Sequence, residues 1–89
     1  MTTAELLDKI SNALALFDGV GIEHQADAAF ETLICPSTPP GEFSDDEWSS
    51  IVAENDRLWA LLKYDKNRKR NAYQVGLLQH AFKMVEARA

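Results

Sequence analysis

His24, Cys35 and His80 are the only histidines and cysteine in the chain, so they exhaust the usual soft ligands and nucleophiles. A structural zinc site draws its ligands from short, regular spacings. No pair of these three residues stands at such a spacing. A Cys35–His24 or Cys35–His80 dyad would need adjacency in space that separation in sequence does not supply. Cys35 lies between Ile34 and Pro36 at a predicted helix end, where it reads as a small buried apolar group. Carboxylates are abundant, but they fall on predicted exposed helix faces, where nothing raises a carboxyl pKa toward neutrality. No catalytic set, no metal site and no cofactor is therefore expected, and the chain does not read as an enzyme.

Charge offers more. Five of the nine basic residues lie within 63–71, and the densest part, 66–70, holds Lys66, Arg68, Lys69 and Arg70. Such a cluster attracts phosphate backbones by releasing counterions. It forms forked hydrogen bonds with carboxylates equally well. Glu23, Asp27 and Glu31 recur at i, i+4, i+8 and make an acidic stripe along one helix side. Like charges at that spacing cost a helix about 0.2–0.5 kcal/mol per pair. Two candidate contact patches follow: Arg68, Lys69 and Arg70 for an acidic surface, and Glu23, Asp27 and Glu31 for a basic one.

The chain as a whole carries −5, unevenly spread. Residues 1–47 hold ten acids against one base, a net of −9, and residues 48–89 net +4. If the halves stay apart, the resulting dipolar field orients a charged partner; if they pack together, they neutralise one another. A pI near 4.8 opposes approach to nucleic acid. With 14 acids in 89 residues, the surface is also too dilute in charge to mimic DNA.

These residues need elements to position them, and the apolar periodicity supplies four helices. Thr2 and Glu5 form a capping box, and Leu6, Ile10, Ala13, Leu14 and Phe17 then share one face, giving a helix over 3–18. Asp18-Gly19 ends it, with Gly19 suited to a left-handed C-terminal position. A second helix spans 23–34 and buries Ala26, Ala29 or Phe30, and Leu33. Pro36, Pro39 and Pro40 with Gly41 exclude helix and make a connection. A third helix, 44–64, has the strongest start: Ser44 with Glu47 as a capping box, and Phe43 with Trp48 as a hydrophobic staple. Asp45, Asp46 and Glu47 sit in its first turn, where the helix dipole favours negative charge. Its stripe is Trp48, Ile51, Val52, Leu58, Trp59 and Leu62. Both indoles face the same way and are expected in the core, with a partly exposed interface anchor as the alternative. A fourth helix, 71–87, carries Tyr73, Leu77, Leu78, Ala81, Phe82 and Val85. Gly76 inside it costs about 1 kcal/mol relative to alanine, which suggests a close helix contact.

Length and composition are consistent with one helical domain over 1–89, an all-α compact bundle of about four helices. Whether the third and fourth helices are separate or continuous through 65–71 stays open at this level. An apolar fraction of 46% is ordinary for a globular chain. No run of about 18 apolar residues spans a membrane, and Glu5 and Asp8 near the start argue against a secretory leader. A single cysteine forms no internal disulfide, which fits a cytoplasmic setting. The leading expectation is a small acidic binding protein acting by protein–protein contact. It would inhibit or regulate a larger complex, as accessory proteins of mobile elements do. The alternatives are a nucleic-acid-associated regulator using 66–70, and a homodimer or larger self-assembly.

Overall fold

A computed structural model describes residues 2–19, 21–34, 42–62 and 72–88. Four helices follow in order: α1 (Thr3–Leu16), α2 (Glu23–Leu33), α3 (Asp45–Leu62) and α4 (Ala72–Glu86). The chain is an all-α four-helix bundle, and each helix falls within two residues of its predicted bounds. Among the described residues no helix is long and apolar enough to cross a membrane.

The predicted capping box forms in full at α3 and by its N-cap arm alone at α1. The Glu5 amide donates to Thr2 Oγ1 at 3.1 Å, satisfying a donor that the first turn of α1 would otherwise leave unpaired. At α3 the exchange is reciprocal: the Ser44 amide donates to Glu47 Oε1 at 2.9 Å, and the Glu47 amide donates to Ser44 Oγ at 3.2 Å. Phe43 is buried and Trp48 packs against the same cluster, as the staple requires.

The turn after α1 departs from expectation. Gly21, not Gly19, takes the left-handed conformation, at φ 80°. Gly19 serves a different need, because a Cβ there would collide with the Ile22 side chain. The glycine pair thus divides the work of the turn, one supplying clearance and the other the backbone reversal.

The main helix seams are α1–α4, α3–α4 and α1–α2. The core cluster takes Leu6 and Ile10 from α1, Phe30 from α2, Ile51 from α3, and Leu77 and Leu78 from α4. α3 and α4 run antiparallel: Trp59 meets Tyr73, Ser50 meets His80, and Glu47 meets Arg88. One continuous helix could not make those pairings, so α3 and α4 are separate. Gly76 does mark a close approach, since a Cβ there would lie 3.0 Å from Leu58 Cδ1. The base of α3 is tied to the end of α4 by Arg88, which donates to Glu47 Oε2 at 2.7 Å and to the Glu42 carbonyl at 2.7 Å.

Candidate functional site

Four helices in a closed ring would make four seams, but α2 and α3 form none of comparable extent. In its place lies a groove of about 380 Å³. Phe30 and Ile34 line it from α2, and Tyr73 and Leu77 from α4. From α3 come Trp48, Ile51, Val52 and Trp59, with Asn55 and Asp56 between them. Phe30, Ile34, Ile51 and Leu77 are buried and belong to the core, so the floor of the groove is the core's own edge.

The α3 wall explains why the groove stays open. At about 100° per residue, Ile51 and Leu58 share one line along the helix, facing α4. Trp48, Val52 and Trp59 share a second line, displaced by about a quarter turn. Among the described residues that second line is only partly covered. Val52 is 43% exposed and Trp59 is 47% exposed. The expectation that both indoles are core is therefore corrected: Trp48 packs partly against the core, and Trp59 does not bury. Trp59 instead rests its ring on Tyr73, with centroids 4.9 Å apart and planes tilted by 34°. Tyr73 also meets Phe30 edge-on at 6.0 Å. An aromatic ladder from α2 through α4 to α3 thus bounds the groove, each such pair contributing about 0.5–1.5 kcal/mol beyond area burial.

The acidic stripe borders this ladder. Burial chiefly, and then the negative charges of Asp27 and Glu31, push the Tyr73 phenol above its ordinary pKa. Glu31 is exposed. Asp27 is half-buried and accepts a hydrogen bond from Gln74 Nε2 at 3.2 Å. The stripe is therefore not a uniformly solvated face: its middle carboxylate also fastens α2 to α4. Glu23 opens α2, and its side chain lies outside the described residues. So do Arg68, Lys69 and Arg70, together with the rest of 63–71, and so does Cys35.

The remaining soft ligands do not converge. Among the described residues no three His, Cys, Asp or Glu side chains gather as a metal set requires. His24 is exposed. His80 Nε2 lies 2.9 Å from Ser50 Oγ in a half-buried bond that joins α3 to α4. Glu54 is close enough to His80 to feel its charge, but its main partner is Arg57, whose hydrogen bond is the largest cause of its lowered pKa.

The groove is not evident from the sequence, in which α3's apolar residues form a single stripe. A signal is nonetheless there: Asn55 sits inside that stripe, where a fully packed face would be apolar, and Asp56 sits at its edge. Compared with protein-family models, with curated proteins and with solved structures, the chain matches none. What fold and site define together is a four-helix bundle with one open, apolar, acid-edged seam.

Proposed function

We propose that this is a protein-binding module that docks a partner in the groove between α2 and α3. The observation carrying this reading is the exposure of Trp59 and Val52 on a wall continuous with the core. A bundle gains stability by covering such a face, at roughly 25 cal/mol per Å² of apolar area removed from water. Leaving it open forgoes that gain, and a half-exposed tryptophan beside a preformed cleft is the usual form of a binding anchor. A chain working this way acts by occupancy, inhibiting or regulating the complex its partner belongs to.

The test compares captures by the tagged wild-type chain and by Val52→Asp from native lysate, with and without nuclease. Val52→Asp places a charge on an exposed position and should leave the helical circular dichroism unchanged. A protein captured by the wild type, resistant to nuclease and lost with Val52→Asp, supports the reading. A capture abolished by nuclease but indifferent to Val52→Asp would replace it with a nucleic-acid role for 66–70. Equal capture of the same protein by both would move the contact to another face.

A further inference from the structure

Resting on that reading, we propose that the groove's occupant is an amphipathic helix of a partner protein, about three turns long, with lysine or arginine beside its apolar face.

Length comes first. The α3 residues along the groove run from Trp48 to Trp59. At 1.5 Å per residue that wall is about 16 Å long, or about three turns of a helix lying alongside. The lining is elongated and walled by helices, and no described strand offers an edge for β-addition. A helix seated there would supply the packing that α2 and α3 do not give one another. Helices pack at about 8–10 Å between axes when their side chains interdigitate. Phe30, Ile34, Ile51 and Leu77 form a floor for apolar side chains repeating at three and four residues. The aromatic end at Trp59 and Tyr73 suits one larger anchor.

Charge then selects among helices. Asp56 lines the groove directly, while Asp27 and Glu31 sit on α2 just outside the lining, Asp27 bonded to Gln74 beside Tyr73 and both near enough for their charges to act on the Tyr73 phenol. No lysine or arginine lines it among the described residues. The described cations are committed or elsewhere: Arg57 pairs with Glu54, Arg88 pairs with Glu47, and Lys9 and Lys83 lie outside the lining. An apolar floor between carboxylate edges complements an apolar stripe flanked by basic residues. Such complementarity raises the association rate and discriminates against acidic partners.

The experiment uses the full chain, labelled with ¹⁵N, and three synthetic peptides of equal length. One is an amphipathic leucine/lysine helix, the second replaces every lysine with glutamate, and the third is the first with two central leucines replaced by proline. The lysine helix should bind and shift the amide signals of Val52, Asp56, Trp59 and Tyr73. The glutamate twin and the proline-broken peptide should each bind at least about tenfold more weakly. Asp56→Lys should weaken the lysine helix about threefold or more while the spectrum stays folded. Equal binding of the lysine and glutamate helices would overturn the basic occupant and leave the protein-binding groove standing. Equal binding of the intact and proline-broken peptides would overturn the helix in the same limited way. Two results would overturn both readings: shifts confined to other faces, or no peptide binding while a small apolar dye fills the groove. Concentration-dependent shifts of the same residues without any peptide would make the occupant a second copy of the chain, against this proposal.

Discussion

The α1–α4 seam and the cleft between α2 and α3 are built from similar residues and end in opposite states. Along the first, Leu6, Ile10 and Ala13 meet a helix whose Leu78, Ala81 and Val85 are wholly buried. The alanines let the helices approach, and Leu6, Ile10, Leu78 and Val85 all sit in the interior. Along the second, Trp59 and Val52 are as apolar as anything in the core, yet each leaves over two fifths of its surface in water. Hydrophobicity alone therefore does not decide burial in this chain. Angular position around the helix does, because a bundle neighbour covers only one line of side chains.

The largest test of that contrast is Leu78→Ala. A fully buried leucine truncated to alanine costs about 2–5 kcal/mol, transfer and cavity terms together. In a domain of this size each kcal/mol moves Tm by about 4–8 °C, so a fall on the order of 10–30 °C is expected. Thermal and urea unfolding followed by circular dichroism measure it. A loss below about 1 kcal/mol would mean the α1–α4 seam relaxes freely, and the distinction between closed and open seams would fail.

Trp59→Ala should behave otherwise. A core tryptophan costs about 3–5 kcal/mol when truncated. Trp59 has one identified aromatic neighbour, Tyr73, and half its surface is already wet. Its loss should cost about 1–1.5 kcal/mol, the scale of one aromatic pair plus partial burial. Binding in the groove should suffer far more than folding. A stability loss of core size, by the same urea melts, would return Trp59 to a structural role.

These two residues also show how far the sequence could be read. The helices were legible because their signals are local: Ser44 with Glu47, Thr2 with Glu5, and apolar repeats at three and four residues. The heart of the core was legible for the same reason, in Leu6, Ile10, Leu77 and Leu78. The cleft was not. Whether a second apolar line on α3 meets a neighbour depends on how far α2 stands from it, which no local pattern records. Gln74 was missed on similar grounds: a polar residue in the α4 stripe is buried because Asp27, 47 positions away, accepts its hydrogen bond. The left-handed position was expected at Gly19 and falls at Gly21, because what Gly19 supplies is clearance for the Ile22 side chain.

At the lower end of the molecule, Arg88 and Glu47 offer a polar counterpart to the closed seam. Glu47 is held at about 2, against an ordinary 4.5, chiefly by its hydrogen bond with Arg88, with the Ser44 amide also lowering it. The unfolded chain binds that proton more readily than the folded one. The stabilisation is therefore complete above about pH 4.5 and is lost as pH falls through the folded pKa near 2. Solvent reaches the pair, so its size is about 1 kcal/mol rather than the full value a shift of this kind would imply. Glu47→Gln isolates it, because glutamine preserves the capping box. The wild type's advantage over Glu47→Gln should shrink between pH 4.5 and 2 in urea melts, while Glu54 titrates alike in both proteins. Parallel stability curves down to pH 2 would show that the clasp contributes nothing.

The smallest effect concerns how firmly the open wall is held. Gly76 in α4 faces Leu58 of α3, and an alanine Cβ would stand 3.0 Å from Leu58 Cδ1. Removing a glycine from a helix interior gains about 1 kcal/mol. Against that stands a contact too tight to keep unless Leu58 yields by a few tenths of an ångström. Leu58 is only half-buried, and its methyls are the far end of a flexible side chain, so rotation rather than helix displacement should relieve the contact. Gly76→Ala should then stabilise the protein by about 0.5 kcal/mol, with the Trp59 signals unmoved. The opposite sign, with shifts reaching Trp59, would mean that α3 itself slides to make room. In that case the width of the groove is set by the side chain at position 76, and the open seam is coupled to the closed one through α4.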